Sequence, residues 1–129
     1  MNVMSKPTHQ DALVLLSYLQ WRDAIGYSDA VDFVWSEKFP SDYDEYKEKV
    51  VGTPEERLTR TYANVHETIG ALYKHGLIHL DLLMDLETYT ADWERTQDII
   101  LGYRKANAMP EFMENFEALV EAERVYRST

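Results

Sequence analysis

Four histidines, a polar group on one helical face and a large surplus of carboxylates are the side chains here with chemical potential. There is no cysteine, so disulfides, thiolate nucleophiles, iron–sulfur clusters and cysteine zinc sites are excluded. His75 and His79 have the four-residue spacing of a helical ligand pair, but Gly76 between them is placed to end the helix. No Glu-x-x-His occurs, so the carboxylate-bridged di-metal pattern is missing. His66-Glu67 is followed by Thr68, Ile69 and Gly70, not by the second histidine of a zinc protease. Neither a nucleophile elbow nor a glycine-rich phosphate loop is present. The expectation is no metal and no cofactor.

The polar group is more informative. Turned at 100° per residue, the segment Thr53–His75 sets Arg60, Asn64, Glu67 and Ala71 opposite an apolar stripe, beside a lane of Ala63 and Gly70. A mid-helix glycine costs about 1 kcal/mol against alanine. Its presence predicts a second helix crossing closely on this side. Arg60, Asn64 and Glu67 are therefore the candidate ligand-binding or catalytic cluster. The competing reading is a structural hydrogen-bond network or simply a solvated surface.

The elements that position these residues are all helical. Thr8 with Asp11 resembles a capping box, opening a helix from about His9 to Ile25 that Gly26 stops. Ser28 opens a short helix ending before Pro40, and Ser41 with Asp44 starts an acidic one closed by Gly52. Thr53-Pro54-Glu55-Glu56 places cap, first-turn proline and third-position glutamate in order, and Gly76-Leu77 ends that helix after His75. A long segment spans His79 to Lys105, with a bend expected near Thr88 to Asp92, and a last helix spans Pro110 to Tyr126. Leu58, Tyr62, Val65, Ile69 and Leu72 step by four and three residues, as do Leu82, Leu86, Tyr89, Trp93, Thr96, Ile100 and Tyr103. That spacing predicts an all-α, antiparallel helical bundle of about five to six helices, three of them long, as one domain over residues 1–129.

The first helix is apolar around most of its circumference, which predicts burial on more than one side. Val14, Leu15, Tyr18, Leu19 and Trp21 are its candidate interface residues, and a symmetric homodimer is the expected outcome. Its apolar run is too short to span a bilayer, and Gln20-Trp21-Arg22-Asp23 is no cleavage site, so a cytoplasmic protein without a membrane role is expected.

The stretch Asn64-Val-His-Glu67-Thr-Ile-Gly70-Ala-Leu72-Tyr-Lys-His-Gly76-Leu77-Ile78 resembles a family of short helical bacterial and archaeal proteins known as a domain of unknown function. A tryptophan helix like Trp93 to Arg104 and a closing aromatic-Glu-x-Leu like Phe116-Glu117-Ala118-Leu119 carry the likeness over about residues 55–120. The resemblance implies a helical fold, no particular reaction, and interest in Glu67, Gly70 and Gly76. Members often carry an N-terminal membrane anchor, whereas this chain's first residues do not read as one. Arg60 to His66 is also similar to the Arg-x5-His spacing of helical ribonucleases from toxin and defence systems, although a continuous helix would splay the two side chains.

Thirteen basic against 23 acidic residues leave a net charge of −10, a balance that argues against nucleic acid as partner. The surplus gathers in Asp29–Glu56 and in the last helix, a solubilising coat whose functional version would be an acidic inhibitor or decoy of a basic protein. The leading expectation is a non-enzymatic protein-interaction or oligomerisation module. A small-molecule binder or enzyme using Arg60, Asn64 and Glu67 is the alternative.

Overall fold

Thr8 opens α1 (His9–Ala24) with both halves of a capping box, its hydroxyl accepting from the Asp11 N–H and its own N–H donating to the Asp11 carboxylate. The structure, a computed structural model, describes residues 5–128. Gly26, at φ +90°, turns the chain into α2 (Tyr27–Val34). Asp42, one residue later than Ser41, caps α3 (Tyr43–Lys49) by accepting from the Glu45 N–H at 2.8 Å. Proline at the first turn starts α4 (Pro54–Lys74), but Thr53 uses its hydroxyl to close the preceding turn on the Val50 carbonyl. Glu56 reaches past it to the Gly52 N–H. A Schellman turn ends α4: Leu77 N–H bonds Leu72 O, Gly76 N–H bonds Tyr73 O, and Gly76 sits at φ +71°.

The expected His79–Lys105 segment is two helices, α5 (Leu80–Leu86) and α6 (Thr90–Ala106), parted at Glu87–Tyr89. The break falls where the bend was expected, because the first N–H groups of α6 bond a carboxylate from another helix, Glu123. The last helix, α7 (Glu114–Arg127), begins four residues beyond Pro110. Residues 110–113 form a turn in which Met113 adopts φ +59° and becomes buried in the core.

The described residues thus form seven helices and no strand, an all-α bundle with one helix more than the sequence pattern suggested. The long helix α4 runs through the middle, packing chiefly on α7 and α2, while α3 lies on α6. Two apolar clusters meet at it. Val65 and Ile69 join Leu15, Leu83, Trp93, Phe116 and Leu119 in one, and Tyr62 joins Phe33, Val34, Phe39 and Ile99 in the other. The 4-3 stripe read from the sequence supplies these positions, since Tyr62, Val65 and Ile69 are all fully enclosed. No helix among the described residues is long and apolar enough to cross a membrane.

Candidate functional site

The close crossing expected at Gly70 is made by α7. A Cβ at Gly70 would overlap the Asn115 carbonyl, so only glycine lets the start of α7 lie flat on α4. One turn earlier, Glu67 completes the docking. Its carboxylate accepts from the Phe116 N–H at 2.9 Å and from the Asn115 amide at 2.8 Å. Met113 provides no side-chain cap for α7, so Glu67 supplies the negative charge that the helix N-terminus favours.

Arg60 and Asn64 lie elsewhere. Arg60 is exposed and paired with Glu56 at 2.6 Å, and Asn64 is also exposed. Both line a cavity of about 330 Å³ among α3, α4 and α6, of which Glu67 is not part. The structure therefore brings Arg60 and Asn64 together and commits Glu67 to holding α7. Of the interface candidates, Leu15 and Tyr18 turn into the core, Val14 and Leu19 are half-buried against it, and Trp21 is exposed at its edge. Leu13 and Leu16 hold the outward positions of α1.

Sequence reasoning reaches His66 only as part of two motifs and does not foresee its burial. His66, 2 % exposed, places Nδ1 at 2.8 Å from the Tyr62 carbonyl and Nε2 at 2.8 Å from Asp92. A carbonyl only accepts, so Nδ1 carries a hydrogen, and one further proton closes the contact between Nε2 and the carboxyl. Tyr62, Phe116, Tyr27 and Tyr89 pack their rings around the imidazole. With both nitrogens engaged, His66 has none free to accept a proton from a substrate. Arg60 and His66, the ribonuclease-like pair, are respectively exposed on the surface and sealed in this core.

Glu123, the one carboxylic acid buried among the described residues, is 1 % exposed. It accepts from the N–H groups of Tyr89 and Thr90, from the Thr90 hydroxyl and from Arg127. Burial alone raises its pKa, but Arg127 and these donors outweigh that effect and hold the carboxyl below its ordinary value of 4.5. Beside it, Arg22 pairs with Glu87 at 2.8 Å and stacks over the rings of Tyr18 and Tyr27. Burial pushes the Tyr18 phenol up to about 12, with Arg22 opposing. Glu123–Arg127 and Tyr18–Arg22 have helical spacing, but the contacts of Glu123 with Tyr89 and Thr90 and of Arg22 with Glu87 carry no sequence signal, because those partners lie far along the chain.

The histidine pair of the hairpin is divided between two tasks. His75 ends α4, while His79 opens α5 by accepting the Asp81 N–H at Nδ1. Among the described residues, no three histidine or carboxylate side chains gather in a way that could hold a metal ion.

Comparison with curated proteins gives no match, and neither does comparison with solved structures. A family model does match, over residues 7–123, and so takes in all of α1 and most of α7. The likeness seen around the Gly76 hairpin extends through the whole bundle, and the chain belongs to the DUF4760 family, a domain of unknown function.

Proposed function

We propose that this protein is a non-enzymatic interaction module of the cytoplasm that pairs with a second copy of itself through α1. One observation carries the reading. From Ala12 to Trp21 the helix has no charged residue, and Leu13 and Leu16 stand 60 % and 61 % exposed on its outward side. A hollow between α1 and α4 adjoins them, lined by Leu13, Val14, Trp21 and Leu72. Exposed apolar residues scattered singly need no explanation, but a continuous uncharged face does. A second copy is the occupant that the charge favours. Each chain carries −10, so most faces would bring carboxylates together, whereas two α1 faces would not. The same surplus is why no role on nucleic acid is proposed.

Leu15 and Tyr18 anchor α1 to the body, leaving Leu13, Leu16, Trp21 and the edges of Val14 and Leu19 for contact. Sedimentation at tens of micromolar is expected to give a dimer, and L13K/L16K a monomer with unchanged helical circular dichroism. A wild-type monomer at that concentration would refute the pairing.

A further inference from the structure

The cavity of about 330 Å³ among α3, α4 and α6 is of the size small-molecule sites begin at. Ala63, Ile99, Ile100, Phe112 and Met113 give it an apolar lining. Tyr43 forms part of the wall because α6 has a glycine beneath it: a Cβ at Gly102 would overlap the Tyr43 side chain. Tyr103, tilted by 32° against Phe112 at 4.3 Å between ring centroids, contributes a second phenol.

Three exposed polar residues stand at the opening, Lys47, Arg60 and Asn64, with half-buried Glu56 beside them. Glu56 is occupied by Arg60 and by the Gly52 N–H. Lys47 has no carboxylate within 4.0 Å among the described residues. The side chains of Asn64, Tyr43 and Tyr103 make no hydrogen bond among those residues either. Two cations and one carboxylate leave the opening at +1, on a chain of net −10. The acidic coat includes Asp44, Glu45 and Glu48 of α3 itself, but none of these lines the cavity. With a screening length of about 8 Å at physiological salt, the lining charges act at shorter range on a molecule already inside.

We propose that this cavity binds a small amphiphilic monocarboxylate, its hydrocarbon or ring inside and its carboxylate against Lys47 and Arg60. A single negative charge matches the opening. A dianion exceeds it, and a neutral hydrocarbon leaves the cations and phenols unused. The site is independent of the α1 face, which lies on other residues.

The test is an amide NMR titration of the full chain with octanoate and, separately, with 1-octanol, at physiological salt. Octanoate is expected to give saturable shifts centred on Ala63, Ile99 and Gly102. K47Q/R60Q, altered only at exposed positions, is expected to weaken octanoate by about tenfold, which corresponds to about 1.4 kcal/mol, and to leave 1-octanol within about twofold. Ala63→Leu, which fills the cavity, is expected to abolish the shifts with both. The proposal is overturned if octanoate gives no saturable shifts at these amides, or if K47Q/R60Q binds octanoate as tightly as the wild type.

Discussion

Gly70 shows two effects of opposite sign at one residue. Replacing glycine by alanine inside a helix ordinarily stabilises by about 1 kcal/mol. At this position the new methyl meets the backbone carbonyl of Asn115, which cannot swing aside as a flexible side chain would. Overpacking of this kind costs about 1–3 kcal/mol. Gly70→Ala is therefore expected to lower the urea midpoint without changing the far-UV spectrum of the native state. A rise in the midpoint would mean that α7 does not lie on α4 as described. Glu123 illustrates charge in the same way. Its carboxyl is held below 4.5, so the stability it contributes is fully present above that value and is lost as pH falls through its lower folded value. Glu123→Gln is expected to cost about 2 kcal/mol at neutral pH. It should also flatten the acid limb of the stability curve, measured by denaturant titration at a series of pH values. An acid limb as steep as the wild type's would show that other carboxylates set it.

At the scale of elements, a common device joins the helices. Charged side chains on one helix end another: Glu67 caps the start of α7, Glu123 caps the start of α6, and Arg95 bonds the Val34 and Ser36 carbonyls at the end of α2. Arg127 reaches the Met84 and Glu87 carbonyls at the end of α5. Carboxylates serve the N-termini and arginines the C-termini, as the unpaired groups and the helix dipole require. This explains why sequence reading located some boundaries and missed others. Thr8 and Gly76 act within a few residues of the ends they mark, and their patterns are visible locally, whereas the cap of α3 was expected at Ser41, one residue before Asp42. The starts of α6 and α7 have no side-chain cap of their own. The sequence suggested a bend at the first, and the second was expected four residues too early, at Pro110. Pro110, a plausible first residue, belongs to a turn because the Phe116 N–H finds its acceptor on α4. Glu67→Ala is expected to leave α4 intact and to loosen α7. Hydrogen exchange would then show protection lost over the first turn of α7, at a global cost of about 2 kcal/mol. Equal loss along all helices would mean that Glu67 does not cap α7 specifically.

Across the whole molecule, the abundance of tyrosine becomes a property of the core. Burial raises the phenols of Tyr18, Tyr27, Tyr62 and Tyr89 above the ordinary value of 10, because a phenolate would lose its hydration inside. Unfolding lets them ionise, so stability is undiminished below pH 10 and falls as pH rises beyond it. Phenolate absorbance is expected to appear in two stages, exposed tyrosines first and the buried ones together with loss of helical circular dichroism. Smooth titration of all nine tyrosines with the helices intact would contradict the enclosed packing.

The sequence by itself determined the helical class, the 4-3 stripe of α4, the close crossing at Gly70, the Gly76 stop and the acid surplus. These follow from local periodicity, backbone freedom and composition, which act over a few residues or over none at all. Only the tertiary structure decided what the polar residues do. Glu67 became the cap of a distant helix, His66 closed on Asp92 twenty-six positions away, and Arg60 moved to the rim of a cavity without Glu67. A hydrogen bond depends on the position of its partner, and the packing of α7 and α6 on α4 sets those positions.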